Sequence, residues 1–159
     1  MGRIQALEAP SAQTEERGAS SPGDTARAMS QENVKIMRAG IEAWNAKDWD
    51  ALRGFYDPDV ILRGTEEWPE QGPFLGLEAV MRQFTQMREP WDADSLEPIS
   101  DFIEAGDRVV VRLRWRGAGH GPELNVESTN VYTFRKQRIV VQEAFRDHAQ
   151  ALQAVGLSE

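Results

Sequence analysis

Along the chain, the first regular hydrophobic pattern is Val34, Met37, Ile41 and Trp44, spaced to fall on one face of a helix. Ser30 suits the cap of that helix and Glu32 its first turn, so it is predicted from Ser30 to near Asn45. Asp48 can cap a short second helix in which Leu52, Phe55 and Tyr56 share a face. Asp57-Pro58-Asp59 is predicted to stop that helix, because proline disfavours a helical residue before it. A brief strand over 60–63 follows, then a loop over 64–76 that holds three Gly and two Pro among Glu66, Glu67, Trp68 and Glu70. Leu77, Val80, Met81 and Phe84 define a third helix, closed by Glu89-Pro90.

From Ser95 onward the period changes to two. Four β segments are predicted, over 96–104, 108–117, 124–134 and 138–146, and their short connections imply antiparallel neighbours. Asp147 caps a last helix over 149–155, with Gly156 as the left-handed residue that ends it. The sum is an α+β fold, a cone-shaped roll of three N-terminal helices on a curved antiparallel sheet with a short C-terminal helix. An apolar pocket is expected between the helices and the sheet.

Composition sharpens this picture in a few places. A chain of 159 residues with 40% hydrophobic content has the size and apolar content of one domain. Residues 1–29 contain no aromatic side chain and are rich in Ala, Ser, Gly, Glu and Thr, so a disordered tail is expected before a domain over 30–157. The first residues lack the apolar stretch of a secretory signal, no run approaches the ~20 apolar residues of a membrane helix, and cysteine is absent. A cytoplasmic protein without membrane association is the expectation. A net charge of −8 argues against a nucleic-acid surface. No cofactor is expected, and His120 and His148 fall too far apart in this fold to share a metal. Arg108, Arg112, Arg114 and Arg116 alternate with Val109, Val111, Leu113 and Trp115, which places the arginines on the outer face of the sheet. A bare outer face suggests a homodimer formed through it.

The segments SQENVKIMRAGIEAWNAKDWDALRGFYDPDV, PFLGLEAVMRQF, EAGDRVVVRLRWRG, NVYTFRKQRIV and FRDHAQALQAVGL resemble, in order and spacing, SnoaL-like proteins of the nuclear transport factor 2 (ketosteroid isomerase-like) superfamily. That resemblance spans roughly residues 30–157. It implies the roll described above and a range of activities: isomerases, polyketide cyclases, dehydratases, an epoxide hydrolase and members without catalysis. In the ketosteroid isomerase a carboxylate base, a tyrosine and a protonated aspartate act together. The matching positions here are Gly64, Gly40 and Asn130, so two of the three cannot perform those roles and the third can still donate a hydrogen bond from its amide. The epoxide hydrolase relay needs two aspartates and an arginine on the sheet. Only Asp101, Arg112, Arg114 and Arg146 are of the right type, with the arginines mostly on the wrong face.

If Asn130 points inward, strand parity brings Ser128, Tyr132 and Phe134 with it. Val111, Leu113 and Trp115 would line the pocket from the adjacent strand, Trp44, Phe55 and Phe84 from the helices, and Trp68 from the loop. Core packing alone also accounts for most of these residue types. On the last strand, parity separates Val140, Gln142, Ala144 and Arg146 from Ile139, Val141, Glu143 and Phe145, and either set can face inward. The first set would offer Gln142 and Arg146 to a ligand carbonyl or carboxylate, and the second would offer Glu143 as a base. A loop carboxylate, Glu66 or Glu67, is the other candidate base. The reading is a small-molecule-binding protein with an apolar pocket. The alternative is a cofactor-independent acid–base enzyme acting on an apolar carbonyl or polyketide-like substrate, with Asn130 and Tyr132 as donors and Glu143, Glu66 or Glu67 as base. Lys136-Gln137 occupies a turn where relatives often carry Gly, and strain or extra length is expected there.

Overall fold

A computed structural model describes residues 22–157. Helix α1 (Pro22–Ala46) starts well before Ser30. Ser30 is therefore a residue within the helix rather than its cap, and its hydroxyl donates to the Gly106 carbonyl at 3.2 Å, docking the helix on the sheet. The part of the expected tail over 22–29 is helical, and the rest lies outside the described residues.

Helix α2 (Trp49–Arg53) is capped by Asp48, whose carboxylate accepts from the Ala51 N–H. It ends sooner than its apolar pattern suggests, because Tyr56 already belongs to strand β1 (Tyr56–Arg63). Asp57-Pro58-Asp59 does not stop a helix. It falls where the register with the neighbouring strand shifts, a place where proline costs no ladder bond. The loop after β1 contains the two-residue strand β2 (Phe74–Leu75), and α3 (Leu77–Arg88) follows.

The segment expected as one strand over 96–104 is two, β3 (Trp91–Pro98) and β4 (Ile103–Ala105), both antiparallel to β5 (Arg108–Gly119). Pro98 has no N–H to continue the ladder. Between the two strands, the Ser100 hydroxyl accepts from the Arg112 N–H at 2.9 Å. Strands β6 (Leu124–Arg135) and β7 (Arg138–Phe145) and helix α4 (His148–Ala154) complete the chain. Asp147 caps α4 and Gly156 follows it with φ 81°.

The described residues form a seven-stranded sheet in the order β2-β1-β7-β6-β5-β3, with β4 beside β5. All neighbours are antiparallel except β1 and β7, which run parallel, so the sheet is mixed rather than wholly antiparallel. The main core lies between its concave face and helices α1 and α3, around Met37, Leu62, Val80, Phe84, Val111 and Phe134. A smaller cluster of Val110, Val131, Ala151 and Leu152 packs α4 on the opposite face, so part of the outer surface is covered by the chain itself. The rest carries a charge ladder in which Glu127 pairs with Arg112 and Arg114, and Glu97 with Arg114 and Arg116. No helix among the described residues is long and apolar enough to cross a membrane.

Candidate functional site

Between helices and sheet lies a cavity of about 730 Å³. Helix α1 supplies Met37, Gly40, Ile41 and Trp44, the α2 region Leu52, Phe55 and Tyr56, and α3 Gln83, Phe84 and Met87. The sheet supplies Leu113, Trp115, Ser128, Asn130, Tyr132, Ile139 and Gln142. The mouth has two unlike sides. One is the loop with Glu67, Trp68 and Glu70, where Glu67 pairs with Arg146, and the other is apolar, with Pro90, Trp91, Leu124 and Val126.

Most residues expected in the pocket therefore line it: Trp44, Phe55, Trp68, Phe84, Leu113, Trp115, Ser128, Asn130, Tyr132, Gln142 and Arg146. Val111 and Phe134 do not. They are buried in the core behind it. Glu143 is also outside, because it stands opposite Val131, a residue of the cluster under α4 on the other face. The parity of β7 has a definite answer that neither expected set describes. Thr133 pairs with Val141 but Phe134 pairs with Ile139, which leaves Val140 as an extra residue. A bulge of this kind turns the side chains on either side of it out of strict alternation. Ile139 and Gln142 consequently both face the cavity.

Ser128, Asn130, Tyr132 and Gln142 form a polar strip on an otherwise apolar wall. The Tyr56 hydroxyl donates to Gln142 Oε1 at 2.7 Å, which leaves the Gln142 amide N–H groups to face elsewhere. Asn130 Nδ2 donates to Ser128 Oγ at a long 3.3 Å. Among the described residues no partner reaches the Tyr132 hydroxyl, although Tyr132 is only 4% exposed. Burial pushes the Tyr132 phenol above its ordinary value, and burial followed by the neighbouring Tyr132 raises Tyr56 as well. Both phenols are protonated at neutral pH and act as hydrogen-bond donors.

Among the described residues, the carboxylates that line the cavity, Glu67 and Glu70, belong to exposed residues of the loop. Glu66 and Glu67, the loop candidates for a base, have side chains 76% and 56% exposed and pair with Arg146 at 3.9 and 3.4 Å. At Gly64, where the isomerase resemblance puts its base, the Trp68 indole covers the backbone, with a ring carbon 2.1 Å from where a Cβ would stand. His120 is exposed and His148 bonds Thr129 on the outer face, and no group of three metal-ligating side chains occurs among the described residues.

One feature of the wall gave no sign in the sequence reading. Arg88 makes a two-pronged pair with Asp94 at 2.8 and 2.9 Å, both side chains are almost fully buried, and Asp94 also accepts from Trp115 Nε1 at 2.8 Å. The Arg88 guanidinium lies over Trp44 at 4.3 Å and near Trp49 at 5.2 Å. Burial pushes the Asp94 carboxyl up, but the Arg88 and Trp115 hydrogen bonds and the charges of Arg88 and Lys47 outweigh it, holding it below the ordinary value. This cluster fixes the planes of Trp44 and Trp115, which form one wall of the cavity. Tyr56, Thr65, Gln83 and Trp91 are lining residues that the sequence reading also missed. Gln83 had a usable signal: it follows Val80 by three residues and precedes Met87 by four, on the apolar stripe of α3.

Comparison with known proteins bears on the fold. The sequence profile of the SnoaL-like domain family matches residues 37–142. No curated protein matches the sequence. Among solved structures, Bal32a from a soil-derived mobile gene cassette aligns at 21% identity over 76% of this chain and 93% of its own, with a TM-score of 0.68. A nuclear transport factor 2-like protein of unknown function from Burkholderia pseudomallei aligns at 23% identity over 79% and 98%, TM-score 0.64. TerC, crystallised with polyporic acid, aligns at 20% identity over 78% and 98%, also with TM-score 0.64. At these identities the structures speak for the shared fold, and the profile match speaks for the family. With helices on a curved, unclosed sheet and a profile match over most of the described residues, this protein belongs to the SnoaL-like domain family.

Proposed function

We propose that the protein binds a small, mostly apolar molecule in the cavity, with a carbonyl or hydroxyl oxygen of the ligand held by Asn130, Tyr132 and Gln142. The observation that carries this reading is the buried polar strip. A phenol hydroxyl without a protein partner and a loosely bonded asparagine amide line the cavity within an apolar wall, where each can bond to what fills it. A ligand oxygen or ordered water supplies that bond. The volume suits a molecule of a few fused or linked rings. That TerC is crystallised with polyporic acid agrees with a roll of this kind holding a small organic molecule. Catalysis by a carboxylate base draws no comparable support, since the acidic side chains that line the cavity, Glu67 and Glu70, are on the exposed rim.

The test is a thermal-shift screen with apolar ketones, lactones and epoxides on wild type, Asn130→Leu and Tyr132→Phe. A ligand that binds only the folded state raises the unfolding temperature, and more so the further its concentration exceeds Kd. The expected result is stabilisation of wild type by an oxygen-bearing compound, with affinity about tenfold or more weaker in Asn130→Leu, as for loss of one buried hydrogen bond. Absence of any shift across the set rejects the reading.

A further inference from the structure

The charges around the mouth are lopsided. Arg146 is the single cation among the described residues that line the cavity, and Glu67 already pairs with it, joined by Glu66. Glu70 lines the cavity as well and has no ion-pair partner among the described residues. Two carboxylates, Glu67 and Glu70, thus line the cavity against one guanidinium that Glu66 and Glu67 already engage, on a protein whose net charge of −8 repels anions and draws cations. Inside, the walls are aromatic. Trp44, Trp68, Trp91 and Trp115, four of the five tryptophans, line the cavity with Tyr56, Phe55 and Phe84. Aromatic faces attract an ammonium or guanidinium group, and this chain already uses that attraction where Arg88 lies over Trp44. The buried polar strip is neutral and contains no group to pair with a ligand anion.

We propose that the ligand is a hydrophobic amine bound as its ammonium. Its apolar body fills the aromatic interior, its oxygen meets Asn130 and Tyr132, and its charged nitrogen stays at the mouth beside Glu70 and Glu67. Arg146 then competes with the ligand for Glu67 and limits affinity. This rests on the cavity being a small-molecule site, and it adds the sign of the ligand's charge.

Three compounds on one skeleton separate the two claims: 4-(aminomethyl)benzophenone, 4-(hydroxymethyl)benzophenone and benzophenone-4-carboxylate. Titration of the full chain, followed by calorimetry or by quenching of the lining tryptophans, gives the three affinities. The amine is expected to bind about tenfold tighter than the alcohol at low salt, with the carboxylate weakest, and the advantage should narrow as salt is added. The double variant Glu67→Gln, Glu70→Gln should remove most of the amine's advantage, read as the ratio of amine to alcohol affinity within each protein. Arg146→Gln should tighten the amine severalfold. Equal affinity for amine and alcohol, or a preference for the carboxylate, overturns the proposal and leaves the apolar-ligand reading standing. Failure of all three to bind overturns both.

Discussion

Gly64 carries no side chain at a point where any side chain would meet the Trp68 ring, with three ring carbons between 2.1 and 2.8 Å from the missing Cβ. The indole in turn lines the cavity, so a single residue's absence of bulk sets where a wall stands. Gly64→Ala should therefore cost about 1–3 kcal/mol, the usual range for overpacking, read as a lower urea midpoint with an unchanged slope. The same contact explains why a carboxylate base cannot be restored here by one substitution: an aspartate would first have to displace the tryptophan. At Tyr132 the logic is reversed, since the side chain is present and its hydroxyl has no protein partner among the described residues.

At the scale of an element, the hairpin of β6 and β7 decides most of the site's polarity. Lys136 and Gln137 connect the strands with φ of 52° and 65°, the left-handed pair that a two-residue type I′ turn requires. Glycine enters that region without a Cβ penalty. Gln137→Gly is thus expected to stabilise the protein by about 0.5–1 kcal/mol, visible as a higher urea midpoint, with no change in cavity ligand binding. The turn keeps its normal length, so the unusual residues there are accommodated by strain alone. Just beyond it, the extra residue Val140 shifts the alternation and brings Gln142 inward while Glu143 is sent to the α4 side. One inserted residue separates a neutral amide floor from an acidic one.

Across the whole molecule, Arg88 at the end of α3 and Asp94 in β3 join helix, sheet and the tryptophan wall through one buried ion pair. Breaking one partner of such a pair leaves a charge without compensation. Asp94→Asn is expected to cost about 3–5 kcal/mol at neutral pH. Because the folded carboxyl titrates below its ordinary value of 3.8, the stabilisation is complete above that value and is lost as pH falls through the lower, folded one. Denaturation of wild type and Asp94→Asn should therefore differ most near neutrality and converge in acid. A gap independent of pH would show that the pair contributes packing rather than charge.

Local patterns in the sequence determined the element types: the 3.6-residue spacing of Val34, Met37, Ile41 and Trp44, the alternation from Arg108 to Trp115, the Asp48 and Asp147 caps, and the shared face of Ser128, Asn130 and Tyr132. Each depends on residues close in the chain, where periodicity and capping act. What depended on distant residues meeting was decided only in three dimensions. The β1–β7 parallel pairing pulled Tyr56 out of a helix and set its hydroxyl on Gln142, and the β7 bulge chose the inward side chains. The joining of Arg88, Asp94 and Trp115 behind the cavity belongs with these. The physical reason is common to all three: a register shift or a buried charge pair gains its energy from a partner strand or an opposite charge, and no window along a single stretch of chain contains both halves.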